Sequence, residues 1–314
     1  MSARTFTALA VAIVAGGVIV AWLDLNQYYY FAAYVVLQYV VLATAWNILG
    51  GYTGYVNFGT SAFFALGAYT AIVLIKAVKA PLPVQLVAGA VVAGVLGFAI
   101  GSLTLRLRGV FFSIATLALA VVLQTVFINW EYTGGARGIA LARPASAPLF
   151  GSYVQFLFVV MLGLAVVAVA TAWWIERSWI GRGFAAIRDN EEAAECAGVP
   201  TLRLKLLATT VSGLLMGLAG APFPYYLTFV EPISVFDLNY AVNSLAMPMI
   251  GGSTTWIGPI IGAVLLGSAQ QIATVTISSA LNLLLVGVIL VAFVILAPEG
   301  IVGLVQRLVR RSDT

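Results

Sequence analysis

Charged residues are so sparse in this chain that the gaps between them draw its elements. Charge-free runs cover residues 5–23, 25–75, 80–105, 109–130, 144–175, 206–230 and 238–298. A membrane-spanning helix needs about 20 apolar residues, so most of these runs hold one crossing each. The run 25–75 is 51 residues long and breaks at "GGYTGYVNFG" (50–59), which gives two crossings. The apolar stretch near the start is long for a signal peptide and no small-x-small cleavage pattern follows, so it reads as the first span. The fold class predicted is all-α, a polytopic transmembrane helical bundle of about 8–10 spans. It forms a single transmembrane domain over residues 1–314.

Basic residues set the sidedness. With the N-terminus inside, eleven lie on the cytoplasmic side: Arg4, Arg106, Arg108, Arg177, Arg182, Arg188, Arg203, Lys205, Arg307, Arg310 and Arg311. Four lie outside: Lys76, Lys79, Arg137 and Arg143. The excess follows the positive-inside rule. Both termini are then cytoplasmic, and the run 238–298 must cross an odd number of times. Three crossings fit only if one is short or broken. The candidate is "LNYAVNSLAMPMIGG" (238–252), which reaches about 20 Å against a hydrocarbon core of about 30 Å. Pro248 and Gly251–Gly252 interrupt it further. This gives ten crossings, or nine or eight if that piece is re-entrant.

Composition narrows the chemistry. The chain is 62% hydrophobic and 8% charged, where soluble domains carry about 25% charged residues. It has no histidine and one cysteine, Cys196, so disulfides, cysteine-based zinc sites and the commonest general base are absent. No catalytic residue and no metal site is expected, and the net charge of +4 tracks membrane sidedness rather than nucleic acid. No charged residue falls deep in a predicted span, which argues against a proton-coupled carrier. The polar groups there are neutral: Gln38, Asn47, Gln124, Asn129, Asn243, Ser244, Gln270 and Gln271. Such groups bond across helices or wet a path. Asn47, Asn57, Asn243 and Ser244, at or near the broken segments, are the candidate translocation-path residues.

A faint internal echo links "LATAWNILGGYTGYVNFGTSAFF" (42–64) with "LAMPMIGGSTTWIGPIIGAVLL" (245–266). Both Gly-Gly pairs face the cytoplasm in this topology, as in a parallel repeat; the plainer reading is two tight turns. Gly97–Gly101, Gly213–Gly217 and Gly258–Gly262 have the small-x-x-x-small spacing of close helix contacts. The outer loop 131–151 reads either as a solvated connector or as a docking surface.

One stretch is out of keeping with the rest. In "AAIRDNEEAAECAGVP" (185–200), Asp189 is placed to cap a helix, with Glu192 three residues on completing a capping box. Gly198 and Pro200 are placed to end it. A helix of about eight residues is marginal alone and needs a surface. Ala193, Ala194 and Ala197 offer a small smooth face. The segment is either a helix at the lipid headgroups or a docking element for a partner protein.

The wording here resembles a family. "GRGFAAIRDNEEAAECAG" (181–198), "KLLATTVSGLLMGLAGAPF" (205–223), "WNILGGYTGYVNFGTSAFFALGAY" (46–69), "MIGGSTTWIGPIIGA" (249–263) and "LAPEGIVG" (296–303) together look like the permease subunit of branched-chain amino acid ABC importers. Glu192, Ala193, Ala194 and Gly198 keep the E-A-A-x-x-x-G spacing of importer loops, although the I-x-L-P ending of the broader pattern is replaced by "LLATTV". The resemblance implies a subunit of the cell inner membrane, paired with a second permease as a heterodimer. It also implies two cytoplasmic ATPase subunits and an extracytoplasmic substrate-binding protein, with membrane lipid around and no nucleic acid. It makes 176–205 the cytoplasmic coupling loop, with Gly181, Arg182, Arg188, Asp189, Glu192, Ala193, Ala194, Ala197 and Gly198 as the ATPase-coupling residues. The chain has no G-x-x-x-x-G-K-[ST] loop. No cofactor is therefore expected on this chain, and ATP is used by partner subunits. A urea or short-amide ABC permease and an ion-coupled secondary transporter are the alternatives.

Overall fold

A computed structural model describes residues 2–23, 25–104, 109–143, 150–276, then 284, 287, 288, 291 and 300–304. Its helices are α1 (Ala3–Ala21), α2 (Gln27–Thr53), α3 (Thr60–Val78), α4 (Leu82–Thr104), α5 (Val110–Ile128), α6 (Tyr153–Arg177), α7 (Trp179–Asp189), α8 (Glu191–Cys196), α9 (Thr201–Gly220), α10 (Phe223–Leu227), α11 (Pro232–Val235), α12 (Leu238–Gly251) and α13 (Gly258–Thr276). A two-residue strand β1 (Ile139–Ala140) pairs antiparallel with β2 (Phe229–Val230). Among the described residues, seven stretches are long and apolar enough to span: α1 to α6 and Thr201–Leu227.

Side-chain contacts sort the turns into two ends. At one end, Phe6 stacks on Trp173 and meets Trp256 edge-on, while Glu176, Tyr52, Tyr55 and Glu191 gather beside them. At the other, Tyr30 bonds Leu23, Lys76 bonds Tyr132, and Arg143 bonds Tyr225. Successive long helices therefore run in alternating directions. The described basic residues divide as the sequence predicts: Arg4, Arg177, Arg182, Arg188, Arg203 and Lys205 at the loop end, and Lys76, Lys79, Arg137 and Arg143 at the opposite end. Arg106, Arg108, Arg307, Arg310 and Arg311 lie outside the described residues, as do residues 296–299 of the 296–303 stretch.

α2 is the central helix. From Val40 to Thr53 every residue is buried, against α6, α9, α12 and α13. α5 instead turns Val110, Phe111, Ile114 and Val121 outward, an apolar exterior that suits hydrocarbon rather than water. Small residues let the inner helices touch. A Cβ on Gly217 of α9 would lie 2.6 Å from the Gly89 carbonyl of α4, so the two backbones meet where a side chain has no room. A Cβ on the predicted Gly97 or Gly213 would come within 2.8 or 3.0 Å of a neighbouring carbonyl oxygen, and one on Gly258 or Gly262 closer still.

Two expectations change. Gly50 and Gly51 do not make a turn; they lie inside α2, which runs three residues further to a left-handed Gly54. Gly51 is there because a Cβ would strike the Ser253 carbonyl and Asn47. α12 is short as expected, 14 residues or about 21 Å, but it is not broken at Pro248. The helix continues through the proline and ends at Gly251, with Gly252 donating to the Pro248 carbonyl at 2.7 Å. Its start sits at the opposite end and Gly252 at the loop end, so a short helix still joins the two. α13 returns, and Gly300 packs against Gly251 and Gly252, bringing the chain back to the loop end.

Candidate functional site

The charged loop folds as two helices laid against the loop end. Ser178 caps α7, its hydroxyl accepting the Ile180 and Gly181 N–H groups. Ile180, Phe184 and Ile187, at helical spacing, bury one face of α7 against the bundle. Gly181 allows the tight step from α6, since a Cβ would meet the backbone of Ile175 and Glu176. Arg182 is exposed on the other face. Asp189 does not cap the next helix: it is the last residue of α7, 73% exposed in its side chain and 3.5 Å from Arg188. Asn190 takes the capping role, accepting the Ala193 N–H at 3.0 Å, in a fully extended conformation that breaks the helix. The capping helix α8 is six residues long, rather than about eight.

Gly198 ends α8 as predicted. Its φ of +81° is left-handed, and Val199 donates back to the Ala194 carbonyl at 3.0 Å. The alanine face is split. Ala194 is 5% exposed and packs inward, whereas Ala193 and Ala197, one turn apart, are exposed together. Glu192 is exposed beside them.

What fixes α8 is a group that sequence reasoning did not single out. Glu191 accepts Lys205 Nζ at 2.6 Å on one oxygen and the Tyr55 hydroxyl on the other. Lys205 Nζ also donates to the Tyr55 oxygen at 3.2 Å and lies 4.9 Å over its ring. Lys205 is only 3% exposed, so this is a buried, bridged ion pair rather than a surface anchor. At the other end of α8, Thr201 donates to Glu195 at 2.7 Å. Arg188 reaches the Gly51 carbonyl at 3.4 Å. Nothing in the sequence spacing brings Tyr55 beside Glu191; only the packing of α2 against α7 and α9 does.

Glu176 makes the second junction. It accepts the Trp256 N–H at 2.6 Å and the Tyr52 hydroxyl at 3.3 Å, pinning turn 252–257 to α6 and α2. Asn47, fully buried, donates to the Thr255 carbonyl at 3.4 Å in the same turn. Asn57 lies in turn 54–59, its Oδ1 accepting the Gly59 N–H at 2.7 Å. Asn243 instead joins Tyr39 at 3.2 Å and Gln270 at 2.8 Å, a bridge between α2, α12 and α13. Ser244 bonds its own helix at the Tyr240 carbonyl. The four candidate path residues thus bond to different partners: Asn47 in turn 252–257, Asn57 in turn 54–59, and Asn243 and Ser244 on α12.

At the opposite end, Arg143 ties the outer loop down. It donates to the Tyr225 carbonyl at 2.7 Å and to that of Tyr226, and sits 5.1 Å over the Phe31 ring. Partial burial lowers its pKa, yet an arginine starts high enough to stay charged. With the β1–β2 pairing, this ties residues 139–143 of the loop to the bundle.

Comparison with known proteins decides the family. The family described as the permease component of the branched-chain amino acid transport system matches residues 28–294. The chain belongs to that family. The high-affinity branched-chain amino acid transport system permease protein LivM of Escherichia coli is 27% identical over 299 residues, covering 87% of this chain and 70% of the relative. A probable branched-chain amino acid transport permease protein LivH of Methanocaldococcus jannaschii is 25% identical, covering 87% of this chain and 90% of the relative. The ribose import permease protein RbsC of Haemophilus influenzae is 29% identical over 65% of this chain and 60% of its own length. This permease is thus a multi-pass transmembrane protein whose relatives are transport components rather than enzymes.

Proposed function

We propose that the chain is the membrane-spanning subunit of an ATP-driven importer that carries branched-chain or related amino acids across the inner membrane. Both termini and the α7–α8 loop face the cytoplasm in this reading. Its partners are a second permease, two ATPase subunits and an extracytoplasmic binding protein. The family match over residues 28–294 supports the transport role. The observation that carries the coupling role is the construction of α8. A six-residue helix is too short to persist alone, yet here it is fixed by a buried ion pair and presents Ala193 and Ala197 outward. Rigid mounting with a small exposed face suits insertion into a groove of another protein. A push on α8 passes through Glu191 and Tyr55 into turn 54–59, and so to α3.

The test is Ala197→Trp. A packed groove does not absorb an indole without strain. Assembly with the ATPase subunits and ATP-driven uptake should both be lost, while the melting temperature of the purified permease stays put because the residue is exposed. A helix lying at lipid headgroups gives the reverse, since aromatic rings are at home there; normal assembly and uptake would reject docking. The RbsC relative favours a second reading of the solute, a sugar. Uptake of radiolabelled leucine against ribose by the reconstituted importer separates the two.

A further inference from the structure

We propose that the start of α3 is a binding station for the carboxylate of the transported solute. This rests on the reading of the solute as an amino acid. α3 is a 19-residue helix whose N-cap, Gly59, supplies no side-chain cap bond. Its first turn thus presents the positive end of the helix dipole, with the Ala62 N–H turned to the Gly59 carbonyl at 3.0 Å. Three polar side chains collect at this point: Asn57, Thr60 and Ser61, which are 1%, 0% and 1% exposed. Asn57 Nδ2, Thr60 Oγ1 and Ser61 Oγ have no hydrogen-bond partner. Buried polar atoms are ordinarily paired, so three orphans within five residues call for an occupant.

The geometry sets the Asn57 side chain over the helix start. The 2.7 Å bond from the Gly59 N–H to Asn57 Oδ1 folds the carboxamide over the helix start, and Nδ2 sits on the same carbon. The Asn57 carbonyl is held by Trp46 Nε1 at 2.8 Å, and the Phe58 N–H by Thr116 Oγ1 at 3.1 Å, so the loop is braced on α2 and α5. Nδ2 only donates, and both hydroxyls are free to donate. The site is a set of donors with no formal charge. That suits a monovalent carboxylate held briefly and released, the way interrupted helices in transporters meet anionic substrate groups. The amine of a zwitterion would have to face away from the helix start.

A route lies alongside. A cavity of about 390 Å³ at the loop end is walled by Val56, Ser113, Arg188 and Glu191. Ser113 closes it by donating to the Val56 carbonyl at 2.9 Å, one residue from Asn57. Displacing turn 54–59 would join cavity and station.

The experiment uses the full importer in proteoliposomes, reading leucine uptake and the melting temperature of the purified complex. Thr60→Val combined with Ser61→Ala removes two hydroxyls that bond nothing in the empty site. Uptake should fall by about tenfold, the worth of one or two hydrogen bonds, with the melting temperature held or raised. Asn57→Asp fills the station with the chain's own carboxylate; it should abolish uptake and raise the melting temperature. Uptake within twofold of the unaltered complex, or a fall in melting temperature in either variant, overturns the station. Replacing chloride by gluconate should leave uptake unchanged; a chloride requirement would assign the site to an inorganic anion and overturn the proposal. An unaltered complex that imports ribose but no leucine, while Asn57→Asp still raises the melting temperature, would sink the amino acid reading and leave an anion site standing.

Discussion

Two six-residue turns at the loop end, 54–59 and 252–257, join helices of the same sense and carry the sequence echo between 42–64 and 245–266, yet they are finished in opposite ways. Turn 252–257 is sealed. Glu176 takes the Trp256 N–H, Asn47 reaches the Thr255 carbonyl, and the Thr255 hydroxyl accepts the Gly258 N–H at 3.2 Å, capping α13. Turn 54–59 leads into an α3 whose N-cap, Gly59, supplies no side-chain bond, and leaves three side-chain atoms, Asn57 Nδ2, Thr60 Oγ1 and Ser61 Oγ, without a partner. Their attachments differ too: the sealed turn hangs on α6, the open one on α8 through Tyr55. Similar sequences have been finished in different ways, one turn with its helix start capped by Thr255 and one with buried side-chain donors left over.

The largest break in this comparison should come at α8. Glu191→Ala leaves the Lys205 ammonium buried without its carboxylate, a loss of about 3–5 kcal/mol when such a pair is split. The melting temperature should fall, and amide exchange should rise across α8 and turn 54–59 before the rest of the bundle. Lys205→Met with Glu191→Leu should recover most of the stability, because an apolar pair of similar size fills the site. Next comes the sealed turn. Glu176→Ala removes a charged acceptor from two donors, worth about 1.5–3 kcal/mol, and should loosen 252–257 while sparing 54–59. The sharpest contrast is the smallest. Thr255→Val deletes a cap and should cost about 1 kcal/mol. Thr60→Val, the same change at the other turn, should cost nothing or stabilise. Equal losses from both would erase the distinction.

Much of the frame was legible in the charge gaps. Every run without charge became one or more helices, the described basic residues fell at the two ends as counted, and the glycine spacings marked real backbone contacts. The misses have local causes. Gly50–Gly51 reads as a turn because glycine favours one, but burial inside α2 overrides propensity when the Ser253 backbone needs the space. Pro248 reads as a break, yet it costs α12 one bond near its end and the helix goes on. Asp189 and Asn190 are both good caps in sequence, and choosing between them depends on where α7 stops. The Glu191–Lys205–Tyr55 group lay hidden for a different reason. Its members come from three elements, and only tertiary packing joins them.

The measurement that bears most directly on this account is amide hydrogen exchange of the assembled importer with and without ATP, followed separately at residues 54–61 and 252–257. If α8 moves turn 54–59 through the Glu191–Tyr55 link while Glu176 holds the other turn, ATP should change exchange at 54–61 and leave 252–257 as it was. A change confined to 252–257, or one of equal size at both turns, would contradict it.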